Sequence, residues 1–132
     1  MVDIILSVAK TLSGFLGDFT KARRDRRDRI ATFFESIGKC LTEVSSQLRA
    51  DQFPSAKCKE MQIYSQGLAM IVGDEIGKNN AVQLGKELES AHEVEQLYYS
   101  LKGSPTRLAQ LTKLEEAAGL FIGLANSIRA AP

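Results

Sequence analysis

Apolar side chains recur along the first third of the chain at alternating steps of four and three. Ile5, Ala9, Leu12, Leu16 and Phe19 set the beat, Arg23 and Arg26 occupy its next two positions, and Ile30, Phe33, Ile37, Leu41, Val44 and Leu48 resume it. Steps of three and four keep side chains on one face of a 3.6-residue turn, so this spacing predicts helix. The phase does not change across the basic block, which suits a first bundle helix continuous with the amphipathic segment before it, while a break near Gly17-Asp18 is the other reading. Asp51-Gln52-Phe53-Pro54 then interrupts the pattern, and Pro54 suits the first turn of a new helix, where its missing N–H needs no partner.

From Cys58 the beat runs through Met61, Tyr64, Leu68, Ile71 and Glu75/Ile76 to Gly77-Lys78-Asn79-Asn80, a turn in which Asn can cap the next helix. Ala81, Leu84, Leu88, Ala91, Val94, Tyr98 and Leu101 form a third seam that stops at Gly103. Ser104-Pro105 restarts a helix as N-cap and first-turn residue, and Leu108, Leu111, Leu114, Ala118, Phe121, Ala125 and Ile128 follow. No sustained period-two alternation marks a strand. The expected fold is all-α: an up-down-up-down antiparallel four-helix bundle with an additional N-terminal amphipathic helix. Its helices fall at about 22–51, 54–77, 80–102 and 105–130.

Length turns this into a division of the chain. The last three helices each run about 24 residues, or ~36 Å at 1.5 Å per residue. The same length counted back from Ala50 starts the first bundle helix near Arg26 and Arg27. Residues 1–20 then form an amphipathic segment surplus to a bundle at 21–132, with Ile4, Ile5, Val8, Ala9, Leu12, Phe15, Leu16 and Phe19 on one face. Such a stripe must be buried against something. Three covers are open: the chain's own bundle, with a break near Gly17-Asp18; another copy of the protein; or a lipid surface.

Composition changes little. The 132 residues suit one domain with a core of its own, and a net charge of +1 gives no global attraction to nucleic acid or membrane. Charge is local: Lys21 to Arg29 holds six cations and two carboxylates. Arg24–Asp28, Asp25–Arg29 and Lys21–Asp25 are spaced as i,i+4 pairs, each adding only about 0.2–0.5 kcal/mol to a solvated helix. Interleaved Asp and the lack of aromatic residues in the block argue against nucleic acid as a partner. No stretch reaches the 18 or so unbroken apolar residues of a membrane span, and the acidic start is unlike a signal peptide, so a cytoplasmic protein, with peripheral membrane attachment as the alternative, is expected.

Candidate chemistry is sparse. Glu89-Ser-Ala-His92 is one half of a di-iron Glu-x-x-His pair, but His92 is the only histidine, so no metal or other cofactor is expected. Cys40 and Cys58 lie at an expected axial offset of roughly 10 Å across a hairpin, too far for a bridge, and read as two buried thiols. Neither cysteine carries a nucleophile signature, and Gly73 to Asn79 lacks phosphate-loop spacing. Gly119 and Gly123, at four-residue spacing in an apolar stretch, read as a helix-packing face, within the bundle or between subunits. In outline only, the Arg-rich helix leading into a Phe-containing one resembles bacterial helical domains. The amphipathic lead-in resembles helical-bundle cell-death domains that act on membranes. No motif transfers a residue role from either.

The functional expectation is a non-enzymatic helical interaction or self-assembly module. Ile5, Leu12, Phe15, Leu16 and Phe19 would dock on another copy or another helical protein, with Arg23, Arg24, Arg26 and Arg27 fixing register at the rim. The alternative is a membrane-associating, membrane-perturbing helical protein using the same segment and Arg block.

Overall fold

A computed structural model describes residues 3–89, 93–100 and 102–132. The chain is all-α and forms a helical bundle: α1 (Asp3–Ser13), α2 (Leu16–Thr20), α3 (Arg24–Arg49), α4 (Ser55–Ile76), α5 (Lys78–Glu89), α6 (Glu93–Tyr98) and α7 (Pro105–Ala130). The expected helix at 80–102 is represented by α5 and α6, and residues 90–92 lie outside the described residues.

The N-terminal segment is not continuous with α3; of the open readings, the fold-back over the chain's own helices is the one observed. Gly14 receives the end of α1, its N–H donating to the carbonyls of Lys10 and Thr11. α2 lasts five residues, and Arg23 is extended (φ −61°, ψ 155°) before α3 starts. The reason is energetic. A straight continuation would carry 20 residues up to about 30 Å beyond the bundle with their stripe in water. Folding back buries Ile5, Leu6, Val8, Leu12 and Phe19, each worth roughly 1.5–3 kcal/mol. The lost helical hydrogen bonds, at about 1 kcal/mol net each, are the smaller quantity.

α3 and α7 form the spine and run antiparallel. Arg49 near the end of α3 meets Glu115 in the first half of α7, while Arg129 near the end of α7 meets Glu35. Gly38 makes their close approach possible: a Cβ there would lie 2.6 Å from Ile122 Cγ1 and 3.0 Å from the Ala118 carbonyl oxygen. Phe34 stands between Phe19 and Phe121, at ring-centroid distances of 5.3 and 6.0 Å, so α2, α3 and α7 share one aromatic contact line. Ser104 accepts from the Arg107 N–H at the start of α7 with Pro105 in the first turn. The Arg107 side chain is buried and donates to the Leu48 carbonyl, which also accepts the Asp51 N–H, so it joins the start of α7 to the end of α3.

α4 and α5 form the second layer. Their connection is shorter than the expected turn, because Gly77 alone reverses the chain at φ 92°. Asn80 caps the helix behind it, donating from its side chain to the Ile76 carbonyl, and not the helix ahead. A Cβ on Gly85 would lie 2.7 Å from the Ser65 carbonyl oxygen, so this glycine sets the α4–α5 spacing.

Candidate interaction surface

The N-terminal stripe is closed by the chain itself. α1 packs on α7 and on α5, and Ile5, Leu12 and Phe19 are buried. Phe15 and Leu16 are half-buried against the same core. The five residues expected to anchor a partner are thus core or core-edge residues in this conformation, since the bundle does offer a seat beside α7.

The arginine block divides. Arg26 turns inward, its guanidinium making a two-pronged contact with Glu75 (Nε–Oε2 2.9 Å, Nη2–Oε1 2.8 Å) and a third bond to the Ile71 carbonyl at 3.2 Å. Glu75 raises the Arg26 pKa, and with side-chain exposures of 22 % and 8 % the pair is a staple between α3 and α4, not a rim charge. Arg27 donates to the carbonyls of Ala131 and Pro132. Arg23 and Arg24 remain exposed, Arg23 at 3.7 Å from Asp25. Arg24, Arg27, Asp28 and Arg129 line an open cleft of about 320 Å³, but Arg129 is already engaged by Glu35 and Thr32.

Gly119 and Gly123 do not pack against another described helix of the chain, so the within-bundle half of the expectation is not met. Both lie on the exposed side of α7, and no described neighbour comes within 4 Å of a Cβ built on either. Close packing between helices falls instead to Gly38 and Gly85.

The cysteines are free. Cys40 is buried and donates to the Lys57 carbonyl at 3.4 Å, so it lies level with the residue before Cys58, not far along the axis. The cause is the connection between the helices. Asp51 takes φ 61° and the Gln52 N–H returns to the Gln47 carbonyl, so the chain doubles back along α3 before α4 begins. Burial, reinforced by Glu60, pushes the Cys40 thiol up to about 12, leaving it a poor nucleophile. Lys57 is held well above its ordinary value by Glu43 and Glu60. Glu60 in turn accepts from the Tyr64 hydroxyl at 2.8 Å. Cys40 and Glu43 thus tie α3 to Lys57 on α4, while the Lys57–Glu60 and Tyr64–Glu60 contacts lie within α4. Among the described residues no three His, Cys, Asp or Glu side chains gather as a metal site, and no helix is long and apolar enough to cross a membrane. His92, and with it the Glu89–His92 pair, lies outside the described residues.

What sequence reasoning missed is the outer side of α4. Ile63 is 67 % exposed and Met70 86 %, two turns apart on one face. Lys59, Gln66 and Asp74 are exposed on the same face, and the spacing 59, 63, 66, 70, 74 keeps all five within one arc of the helix. The signal was present: Ile63 and Met70 are off the seam of Met61, Tyr64, Leu68 and Ile71, at their own seven-residue spacing. Large apolar groups placed together in water mark a contact surface more often than isolated ones do. No family model matches the chain, and neither a curated protein nor a solved structure does.

Proposed function

We propose that the chain is a non-enzymatic interaction module that binds another helical protein, or another copy of itself, through the outer face of α4. In this reading α3, α4, the α5–α6 pair and α7 form an up-down-up-down antiparallel four-helix bundle with α1 and α2 laid over it. The observation that carries it is the exposure of Ile63 and Met70 together on one face of α4, whereas the other exposed large hydrophobics, Ile4, Phe53, Tyr99 and Leu108, lie outside that helix. Binding an apolar face of this kind removes it from water at about 25 cal/mol per Å².

The test places a photo-crosslinking residue at Met70 in the full chain inside cells, with the exposed Gln83 on α5 as control. Adducts at position 70 and none at 83 are the expected result. A chain that forms no adduct at either position overturns the reading.

A further inference from the structure

From the order of charges along this face we infer that its occupant is a second copy of the chain, docked antiparallel across a twofold axis passing between Gln66 and Gly67. The inference rests on the interaction reading above and adds the partner and its register. An interface between identical copies must be self-complementary, residue i meeting j and j meeting i. α4 meets that condition. Its exposed face reads cation, apolar, polar, apolar, anion at Lys59, Ile63, Gln66, Met70 and Asp74.

Turning a second copy end for end about that midpoint sets Ile63 against the partner's Met70 and Lys59 against the partner's Asp74, twice over by symmetry. The opposite orientation, parallel in register, would place Lys59 on Lys59 and Asp74 on Asp74, a like-charge cost that selects the antiparallel arrangement. Gly67, beside the axis, is half-buried, and a Cβ there would meet the Phe33 ring edge at 3.9 Å.

The two charges are available. Asp74 has a side-chain exposure of 83 % and meets Arg26 Nη2 at a long 3.7 Å, while Lys59 is exposed. A groove of about 230 Å³ between α4 and α5, lined by Gln66, Ala69, Val82 and Lys86 among others, borders the contact and widens it beyond one helix. The contact between two helix faces is small, so the dimer belongs to the weak class, with micromolar dissociation.

Sedimentation velocity and light scattering on the purified full chain, from micromolar to near-millimolar, test it. The wild type is expected to pass from monomer to dimer. Lys59→Asp and Asp74→Lys alone each weaken the dimer about tenfold or more, and Met70→Glu abolishes it, with helicity by circular dichroism unchanged because all three positions are exposed. Mixing Lys59→Asp with Asp74→Lys in equal amounts restores dimerisation, because every 59–74 contact then joins opposite charges. A dimer that survives Met70→Glu, or a mixture that fails to recover, overturns the twofold register. A wild type that stays monomeric throughout, while position 70 still crosslinks to a different protein in cells, removes the second copy as occupant and leaves the interaction reading standing.

Discussion

α7 and α4 have the same difficulty and meet it differently. Each carries large apolar side chains on more than one side. In α7, Leu111, Leu114, Phe121, Leu124 and Ile128 are all buried, because α3 covers one side and α1 with α2 covers the next. In α4 the buried set is only Ser65, Leu68, Val72 and Ile76, a single stripe facing α3 and α5, and Ile63 and Met70 stay in water. A helix with a wide apolar arc needs neighbours on both edges of it. The fold-back of residues 1–20 supplies the second neighbour to α7, and no described element does the same for Met70.

The largest effect should come from testing that difference directly. Phe121→Ala removes a fully buried ring that also contacts Phe34, and is expected to cost about 3–5 kcal/mol. Met70→Ala removes a side chain that is 86 % exposed. It should leave the stability of the monomer within about 0.5 kcal/mol of the wild type. Urea denaturation at low protein concentration measures both. A cost at Met70 approaching that at Phe121 would mean that α4 is covered in solution and that the two helices do not differ.

Glycines sharpen the contrast, with effects of opposite sign. At Gly38 an added methyl meets Ile122 and the α7 backbone at Ala118, neither of which is a free end that can swing away. Gly38→Ala should therefore destabilise by about 1–3 kcal/mol through overpacking. Gly119 lies in the same helix as those contacts but faces open space, so Gly119→Ala should stabilise by about 0.5–1 kcal/mol through helix propensity and lost backbone freedom. Thermal melts of the two variants give the answer. A stabilising Gly38→Ala would show that α3 and α7 are not in close contact, and a destabilising Gly119→Ala would show that the exposed side of α7 is occupied.

These positions also show what the sequence could and could not disclose. Punctuation that acts locally was readable: Ser104-Pro105 starts α7 and Gly77 reverses the chain, because N-capping and positive φ depend on adjacent residues alone. The route of residues 1–20 was readable only as one of three alternatives. Periodicity reports the angle of a side chain around its axis, and an unbroken phase from Ile5 to Leu48 is the same for a straight helix as for one cut at Gly14 and Arg23. What cuts it is burial of Phe19 on Phe34, a contact with α3 and not a local preference. Arg26 was legible in half. It occupies a seam position yet was expected at an interface rim, because its partner Glu75 stands 49 residues away on another helix. Gly119 and Gly123 have the spacing of a packing face, and Gly38 has none, yet Gly38 makes the contact. Which side of a helix meets a neighbour is a property of the pair. For the same reason Ile63 and Met70, off the α4 seam, could not be placed in water until the position of α4 was known.

The smallest effect concerns how the second neighbour of α7 is held. Lys113 on α7 donates to the Asp3 carboxylate at the start of α1 at 2.8 Å, and this bond is the main cause of an Asp3 pKa lowered to about 2. A carboxylate depressed in the folded state binds fewer protons there than in the unfolded chain. Its contribution is therefore full above the usual aspartate value near 3.9 and is lost as pH falls through about 2. The pair is exposed, so the loss in stability is small; the titration itself is the readout. Carboxyl chemical shifts should place Asp3 near 2 in the wild type and move it up toward the ordinary value in Lys113→Ala. An Asp3 that titrates normally in both proteins would mean that the start of α1 is not seated on α7. The stripe behind it would then lose the cover that distinguishes α7 from α4.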